Sequence, residues 1–446
     1  SQDPDDDTMC PSYMVTREEM HATRGRARLL FEMLQGNSLS EGWRSEAVRE
    51  ALDLCLACKG CKADCPVSVD MATYKAEFLS HYYEGRLRPR AAYSMGLIYW
   101  WARLASHVPS VANLLTQTPI LRSMTKLAAG IAPQRRIPAF APQTFKDWFF
   151  SRYAESKGRK GKVILWADTF NNYFLPETAR AAVRVLEAAG FEVEVPRASL
   201  CCGRPLYDWG MLDLAKRQLR QILQVLEEEI QRGTPVVVLE PSCASVFRDE
   251  LVNLFPRDKD AQRLSQQTYL LSEFLQRKAP DWEMPTLERK ALVHGHCHHK
   301  AIMGMGDERA VLESLGLDFE VLPSGCCGMA GAFGFEPGEH YEVSIRAGER
   351  VLLPAVRSAE PSTVVIADGF SCREQIAQMT HRRAMHLAQV IDLALRSQPT
   401  PRDSSFPERL YEEGTTSTLG GLLRVGGALA GLAAAVAASR GLGRGS

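Results

Sequence analysis

The chain has 446 residues, 45% hydrophobic and 24% charged, which is enough apolar material to bury two or three ordinary cores. Its formal net charge is zero, so nothing in the composition points to nucleic acid as a partner. Twelve cysteines in a chain of this length do not resemble a small secreted disulfide scaffold. Adjacent cysteines and C-x2-C spacings suit metal or redox chemistry in a reducing compartment, so we expect a cytoplasmic protein or one at the cytoplasmic face of a membrane.

The first residues are acidic and loop-like, and they lack the apolar core of a signal peptide. Because residue 1 is Ser1 rather than methionine, we expect a fragment or one part of a longer polypeptide. Residues 1–90 are predicted to form an α-helical ferredoxin-type domain. Helical periodicity over 17–34, 45–54 and 71–83 surrounds a cysteine run.

This cysteine run follows the C-x2-C-x2-C-x3-C-P pattern of ferredoxins that hold cubane 4Fe-4S clusters. Three thiolates at this spacing surround one corner of a cluster, and in two-cluster ferredoxins the fourth reaches the other cluster. Zinc sites usually consist of two separated C-x2-C pairs, so we prefer an iron–sulfur cluster to structural zinc. The run consists of Cys55, Cys58, Cys61 and Cys65, followed by Pro66.

Two cysteines are candidates for the fourth ligand of this cluster. Cys10 precedes a proline, as the last cysteine of a second such motif does, and it would complete one cluster with the first three cysteines of the run. Cys65 would then belong to a second cluster, whose other ligands are not in this sequence. In the alternative, Cys65 completes the local cluster and Cys10 is free.

Residues 91–160 are predicted to be a helical connector, rich in aromatic residues and punctuated by prolines. We interpret the aromatic clusters as packing between domains, with contact to a membrane surface as the alternative. From residue 161 to 397, short apolar strands alternate with helices, which is typical of a parallel α/β sheet. Strands are predicted over 163–167, 191–195 and 236–239, and a helix with proline in its first turn is predicted over 176–189.

This α/β region repeats itself, which predicts two copies of one parallel-sheet unit related by a pseudo-twofold axis. Each copy contains a Cys-Cys-Gly (CCG) element, so we expect CCG repeat 1 over 161–285 and CCG repeat 2 over 286–397. The matching segments are 163–168 with 291–297, 190–203 with 316–328, and 236–243 with 364–372.

Cysteines from three loops converge in each predicted repeat. Four are enough to hold a metal or a cluster, whereas three are a marginal set, and packing as small hydrophobic side chains is the alternative. Among the histidines around Cys297 we favour His298 or His296 near the site, so the candidate catalytic residues are Cys326, Cys327 and His298. The cysteines are Cys297, Cys326, Cys327 and Cys372 in repeat 2, and Cys201, Cys202 and Cys243 in repeat 1.

Residues 398–446 are predicted to form a linker and a Gly/Ala-rich tail. Its uninterrupted apolar stretch, 425–438, has 14 residues, whereas a bilayer-spanning helix needs ~20. We therefore expect a disordered or surface-lying tail rather than an anchor. The sequence contains no nucleophile–base triad and no flavin or nicotinamide fingerprint.

With these motifs the chain resembles the iron–sulfur half of bacterial FAD-linked D-2-hydroxy-acid dehydrogenases, which act on D-lactate or D-2-hydroxyglutarate. Related families include the iron–sulfur component of glycolate oxidase, the anaerobic glycerol-3-phosphate dehydrogenase C subunit and the heterodisulfide reductase B subunit. The resemblance covers about residues 8–395 and rests, beyond the ferredoxin run, on 9–13, 324–331 and 369–374.

The resemblance implies a relay in which a flavin oxidises a 2-hydroxy acid and 4Fe-4S clusters pass single electrons to a quinone or another acceptor. FAD would lie only on a partner domain or subunit, so the chain alone would oxidise no hydroxy acid. The alternative is a heterodisulfide-reductase-like thiol–disulfide oxidoreductase with its centre in repeat 2. That family uses five cysteines, whereas repeat 2 has four, with Gln375 at the fifth position. A scaffold or sensor with zinc or no metal in the repeats is the third interpretation.

Overall fold

The computed structural model describes residues 9–36, 39–152, 158, 160–396 and 406–411. The acidic start and the predicted apolar tail stretch 425–438 lie outside these residues. Within them, an α-helical N-terminal part is followed by further helices and then by two parallel sheets. The predicted fold class, a helical ferredoxin-type part followed by parallel α/β structure, is confirmed at this level.

Short helices surround the cysteine run in the N-terminal part. The helix Glu46–Asp53 begins after Ser45, whose hydroxyl accepts a hydrogen bond from the Val48 amide. The helix Met71–Tyr82 begins after Asp70, whose carboxylate accepts one from the Thr73 amide. The other helices here are Pro11–Thr16, Thr23–Gln35 and Gly60–Asp64, with 3-10 turns at Glu19–His21 and Gly42–Arg44.

The connector is helical, and two of its helices begin with proline at the first position, where a missing N–H costs nothing. Its helices are Arg90–Ser94, Ile98–Ala105, Pro109–Gln117, Pro119–Ala129 and Phe145–Ser151. Among the residues that the structure describes, no helix is both long enough and apolar enough to cross a bilayer.

The first sheet contains four parallel strands in the order β2-β1-β3-β4. Its central strands are buried on both faces, which explains why they appear in the sequence as continuous apolar runs. The fourth strand was not predicted, since three residues between two helices carry little periodic signal. The strands are β1 (Lys162–Trp166), β2 (Glu192–Glu194), β3 (Val236–Val238) and β4 (Thr268–Leu270).

The second sheet contains three parallel strands in the order β6-β5-β7. Ile366, the last residue of β7, forms an isolated parallel bridge with Met385. Met385 therefore lies beside β7 as β4 lies beside β3 in the first sheet. The strands are β5 (Lys290–Val293), β6 (Asp318–Val321) and β7 (Val364–Ile366).

Helices from the two sheet regions pack against each other in two places. Helix Pro176–Ala188 packs on Leu387–Arg396, and helix Leu271–Lys278 packs on Gly306–Ser314. One continuous apolar core joins both sheets through these helices. The remaining α-helices are Thr169–Tyr173, Arg204–Asp208, Leu212–Val225, Glu227–Arg232, Pro241–Ser245, Leu251–Leu254, Lys259–Gln267, Glu339–Glu349, Leu352–Ser358 and Phe370–Met379. Shorter turns are the π-type Val246–Glu250 and His299–Met303 and the 3-10 turns Phe333–Phe335 and Pro407–Tyr411.

A buried ion cluster joins the N-terminal part to the first sheet region. The Lys59 ammonium lies 3.1 Å from Asp70 Oδ2 and 3.0 Å from Glu250 Oε1, and it also contacts Asp249. Burial alone would lower the pKa of Lys59, but the carboxylates of Glu250, Asp70 and Asp249 outweigh burial and raise it. Lys59 lies within the cysteine run, so this cluster fixes the run against the α/β part.

Candidate functional site

The backbone of the cysteine run is folded back on itself at residues in the left-handed region. Ala57 and Lys59 have φ values of 50° and 60°, and Cys10 has a φ of 53°. Such conformations at non-glycine residues cost about 1–3 kcal/mol each and persist where the surrounding structure holds them. Here they lie beside the cysteines of the predicted cluster.

Four thiols of this region lie close together. Burial raises the pKa of Cys10, Cys58 and Cys61, the last to about 12, and the neighbouring thiol of Cys55 adds to all three shifts. Backbone amides point at two of the sulfurs, from Thr23 to Cys10 Sγ at 2.9 Å and from Met71 to Cys61 Sγ at 3.4 Å. Four thiolates with N–H groups directed at sulfur form a donor set that fits a 4Fe-4S cluster.

Cys65 lies in a different environment from these four thiols. Like Cys10 it is half-buried, but hydrogen bonds from the backbone amides of Val69 and Val67 lower its pKa, whereas burial and the neighbouring Cys55 thiol raise that of Cys10. Cys10 is therefore the companion that we propose below for the first three cysteines of the run.

The carbonyl of Ala57 connects the cysteine run to both sheet regions. It accepts a hydrogen bond from Arg204 Nη2 at 3.0 Å and another from His298 Nε2 at 2.9 Å. A carbonyl only accepts, so the proton of His298 must be on Nε2. Burial, followed by the nearby Arg204 charge, lowers the pKa of His298 well below its usual value, so the ring is neutral. This geometry gives His298 a positioning role on the cluster loop.

The four cysteines after β5, β6 and β7 are all buried and form a continuous chain of contacts. Hydrogen bonds with Cys297 and Cys327 raise the pKa of Cys326, and hydrogen bonds with Cys326 and Cys372 lower that of Cys327. Gly328 closes the turn with a φ of 86°, and a Cβ there would lie 2.1 Å from the Ser344 carbonyl oxygen, so only glycine fits.

The imidazole that lies among these sulfurs is that of His294. Its Nδ1 is 2.6 Å from Ser324 Oγ, and ligand atoms of His294, Cys327 and Cys372 lie within 4.8 Å of one another. From the sequence we expected His298 or His296 near the site, and both line the cavity beside Cys297, but His294 was not singled out. His294 directly follows β5, and this position at the carboxyl end of a strand was the signal that could have identified it.

The first sheet region presents a smaller thiol group. Cys202 Sγ lies 3.0 Å from Cys243 Sγ, and the Thr169 hydroxyl donates to Cys201 Sγ at 3.5 Å. Asp168 accepts hydrogen bonds from the Phe170 and Asn171 amides and thus caps a helix.

The cysteines of the two sheet regions approach each other across one large, partly open cavity, in which the space that water can occupy is about 130 Å³. Cysteines of both sheet regions line it, Cys201, Cys202 and Cys243 from the first and Cys297 from the second. Its polar groups include His296, His298 and Glu240, and burial followed by the nearby Asp168 charge raises the pKa of Glu240 to about 7. The apolar walls include Met95, Ile98, Ile131, Ile137, Phe140, Phe170, Phe174, Phe335 and Phe370. No local pattern indicated that connector residues close this cavity, because the contact joins distant parts of the chain.

The cysteine run lies directly against the second sheet region. Cys58 shares one apolar cluster with Cys297 and Cys326, and the Cys297 thiol contributes to the raised pKa of Cys58 after burial. A redox group bound at the run would therefore adjoin the cysteines that follow β5 and β6.

Comparison with known proteins agrees with this architecture. Residues 7–69 match the family of the 4Fe-4S dicluster domain, and residues 169–248 match the family of the cysteine-rich CCG domain. The chain is similar to D-2-hydroxyglutarate dehydrogenase of Escherichia coli (strain K12), with 25% identity over 86% of this chain and 41% of the relative. It therefore spans about two-fifths of the length of that relative.

Two shorter relatives are covered more completely. The anaerobic glycerol-3-phosphate dehydrogenase C subunit of Escherichia coli (strain K12) is 29% identical over 64% of this chain and 72% of the relative. Lactate utilization protein A of Bacillus velezensis is 30% identical over 52% of this chain and 99% of the relative.

The fold, the buried thiols and these matches define an oxidoreductase component that transfers electrons, carries a 4Fe-4S cluster and is related to FAD-linked dehydrogenases. The match to lactate utilization protein A extends over nearly the whole of that protein. The chain belongs to its family of iron–sulfur proteins.

Proposed function

We propose that this chain relays electrons from a flavoprotein to a quinone, with Cys10, Cys55, Cys58 and Cys61 as ligands of a 4Fe-4S cluster. The observation that carries the proposal is the contact of Cys58 with the cysteines of the second sheet region. A bound 4Fe-4S cluster supplies one-electron redox chemistry. The apolar residues around Cys58 keep water from this contact, and the hydrogen bonds on the Ala57 carbonyl hold the loop in place.

The two sheet regions are, in this proposal, two copies of one CCG unit, with the divisions 1–90, 91–160, 161–285 and 286–397 as domain boundaries. Their matching strand orders support the repeat, as does the bridge of Met385 beside β7. The exchanged helix contacts are those expected of a pseudo-twofold axis, because the first long helix of each unit packs on the last helix of the other. We place a second metal or iron–sulfur centre in the second unit, at Cys297, Cys326, Cys327 and Cys372, with His294 beside them.

The electron donor is, in this proposal, a FAD-binding dehydrogenase domain or subunit that oxidises a 2-hydroxy acid. The names of the relatives support this assignment, since they include a D-2-hydroxyglutarate dehydrogenase and a lactate utilization protein. The chain aligns with only 41% of the D-2-hydroxyglutarate dehydrogenase, which leaves room there for a catalytic domain.

The electron acceptor is assigned to the large cavity between the thiol groups. Its walls are mainly aliphatic and aromatic, and the rings of Phe170 and Phe370 stack there at 4.4 Å. An apolar, flat molecule such as a quinone head group fits such walls. Its reduction takes up protons, and Glu240, whose pKa burial raises to about 7, is the cavity group suited to hold one, whereas burial lowers the pKa of His296 to about 3 and keeps its ring neutral.

Filling this cavity should slow electron delivery to a quinone. In Ile137→Trp the larger ring projects into the space, and we expect a dithionite-reduced chain to be re-oxidised by a menaquinone analogue at least about tenfold more slowly. Stopped-flow absorbance of the clusters measures this rate, and iron and sulfide content should not change. Val225→Trp, at an exposed position outside the cavity, is the control. Equal rates in wild type and Ile137→Trp would place the acceptor elsewhere.

The connector presents a band of exposed apolar side chains, which we assign to contact with the cytoplasmic surface of a membrane. Exposed fractions in this band range from 38% to 76%. Residues 85–146 also contain nine Lys and Arg and no Asp or Glu, although the whole chain is neutral. Apolar side chains with basic neighbours bind the anionic interface of a bilayer. The band consists of Trp100, Trp101, Leu104, Val108, Val111, Leu114, Leu115, Ile120, Met124 and Leu127.

This membrane contact would place the quinone cavity beside its lipid-soluble ligand. Ile98 lines the cavity, whereas Trp101 and Leu104 of the same helix are exposed by 50% and 60%. The helix thus separates the cavity from the face assigned to lipid.

Charges placed in the band should release the protein from vesicles. Each buried Leu side chain contributes about 1.5–3 kcal/mol, so we expect Leu104→Glu combined with Leu127→Glu to weaken binding at least about tenfold. Co-sedimentation with vesicles of phosphatidylcholine and phosphatidylglycerol measures it. Val225→Glu, an exposed apolar position outside the connector, should bind like wild type. If wild type does not sediment with these vesicles, the band has another function.

A thiol–disulfide oxidoreductase remains the second candidate function, because Cys297 lines the large cavity and could face a disulfide substrate. The reduced wild-type chain would then reduce a small-molecule disulfide, and Cys326→Ser would lose this activity. The absence of such activity in the wild type would exclude this candidate.

A further inference from the structure

A second group of buried ligand-type side chains lies at the ends of β5 and β7, distinct from the thiols. His299 begins the turn His299–Met303, Glu308 is on the helix Gly306–Ser314, and Asp368 follows β7. Ligand atoms of the three residues lie within 4.8 Å of one another, and His299 Nδ1 is 3.3 Å from Glu308 Oε2. The residues are only 1%, 2% and 7% exposed.

This group contains polar atoms without hydrogen-bond partners. Within the part of the chain that the structure describes, neither Glu308 Oε2 nor His299 Nε2 makes a hydrogen bond. Burial, followed by the charge of Asp368, raises the pKa of Glu308 well above its usual value. Two carboxyl groups held this close and this deeply buried need a shared proton or a cation between them.

Neighbouring cationic and titratable side chains are committed to other partners. Arg248, which acts on His299, forms a bidentate pair with Glu273 at 2.8 and 2.7 Å and donates to the Thr268 carbonyl. His386 Nε2 is 3.6 Å from Asp368 Oδ1, but it donates to the Leu239 carbonyl at 3.0 Å.

At the matching position of the first unit, the side chain of Arg373 supplies a positive charge. Arg373 donates to Thr178 Oγ1 at 2.8 Å and to Asn171 Oδ1 at 3.1 Å; burial lowers its pKa, and the charges of Glu240 and then Asp368 act against that shift. Thr178, Asn171 and Glu240 correspond to the residues of the second group. Asn171 and Glu240 precede His299 and Asp368 by 128 residues, as β1 precedes β5, and Thr178 and Glu308 are each the third residue of their helices.

The second unit has more negative charge at this position and no such arginine. With Cys243 aligned on Cys372, Arg373 corresponds to Ala244, which is uncharged. In the second unit, Glu308 and His299 stand in place of Thr178 and Asn171. The side chains that bind a guanidinium in the first unit are thus replaced by side chains of the kinds that bind metal ions. The correspondence between the two units depends on the proposed repeat, but the distances among His299, Glu308 and Asp368 are independent of it.

We propose that His299, Glu308 and Asp368 bind one divalent first-row transition-metal ion, such as Zn²⁺ or Mn²⁺. One imidazole nitrogen and two carboxylates suit these ions, and water completes the coordination. His299 is two residues after Cys297 and Asp368 is four before Cys372, so the ion ties together the two strand ends that carry these cysteines.

Metal analysis of the full chain with its clusters tests the proposal. The chain is produced with Zn²⁺ and Mn²⁺ in the medium, desalted, and assayed for zinc, manganese, iron and acid-labile sulfide. We expect one zinc or manganese ion per wild-type chain, and an about tenfold or larger loss in Glu308→Gln and Asp368→Asn with unchanged iron and sulfide. Glu313→Gln, exposed on the same helix, should retain the ion.

A second measurement keeps the test independent of how the variants fold. Added Zn²⁺ should raise the thermal unfolding midpoint of chelator-treated wild type but not that of Glu308→Gln. Wild type with no ion beyond cluster iron and no stabilisation by Zn²⁺ or Mn²⁺ would overturn the proposal. Iron and sulfide are measured separately, so the absence of a zinc or manganese ion would leave the electron-transfer proposal intact. Conversely, loss of cluster iron alone would leave the proposal of the metal site intact.

Discussion

Replacing Cys58 by serine is expected to remove the ferredoxin-type cluster and stop electron transfer. Cys58 is buried, and it lies close both to the other cysteines of its own run and to the cysteines of the second unit. A serine hydroxyl is a poor ligand for iron, so the variant should lose about four irons and four sulfides per chain. Quinone reduction by the chain with its flavoprotein should fall below detection. Iron and sulfide analysis after anaerobic purification, with EPR of the dithionite-reduced sample, measures the cluster.

Cys65→Ser is the matched control for this variant. Cys65 is in the same run but is only half-buried, and backbone amides act on its pKa. We expect this variant to retain the cluster signal and the transfer rate. The opposite result, loss in Cys65→Ser and retention in a Cys10→Ser variant, would show that Cys65 completes the cluster.

The iron count also decides whether the second unit holds a cluster. About four irons per wild-type chain would indicate one cubane. About eight, with half retained in Cys58→Ser, would assign a second cluster to Cys297, Cys326, Cys327 and Cys372 and would strengthen the disulfide-reductase alternative.

Replacing Lys59 by methionine is expected to destabilise the protein strongly. Methionine fills the space of the lysine stem, but Asp70, Asp249 and Glu250 then lose the ammonium that lies among them. Removing one partner of a buried ion cluster costs about 3–5 kcal/mol, because uncompensated charge remains buried. Denaturant unfolding, together with limited proteolysis of the N-terminal part, measures the loss.

Lys62→Met provides the comparison. Lys62 also contacts Asp249, but its side chain is 30% exposed, so water replaces much of what it contributes. Exposed ion pairs contribute about 0–1 kcal/mol, and the variant should be nearly as stable as wild type. Equal destabilisation by the two substitutions would mean that the buried cluster does not hold the N-terminal part.

The ion cluster also predicts a pH dependence. Burial alone would raise the pKa of Asp70 and Asp249, but the Lys59 ammonium and hydrogen bonds keep both below their usual range. Their stabilising contribution is therefore present above the unfolded pKa of about 4 and is lost as pH falls. The raised pKa of Lys59 makes its contribution complete below about pH 10 and lost only at higher pH. Denaturant unfolding across this pH range measures both limbs.

The amino-acid sequence by itself determined the chemistry of the chain and its local structure. The C-x2-C-x2-C-x3-C-P spacing predicts an iron–sulfur cluster because ligand geometry constrains neighbouring residues directly. The buried strands, such as Lys162–Trp166, and the helix Pro176–Ala188 were predicted for the same reason, since their apolar pattern and proline position act within a few residues.

Only the tertiary structure decided how these elements meet. The Ala57 carbonyl is bonded by Arg204 and His298, which follow it by 147 and 241 residues, and connector residues close a cavity over cysteines of both sheet regions. His294 lies with Cys327 and Cys372 because the end of β5 directs it there. Such contacts depend on how distant segments dock, and local periodicity contains no information about docking.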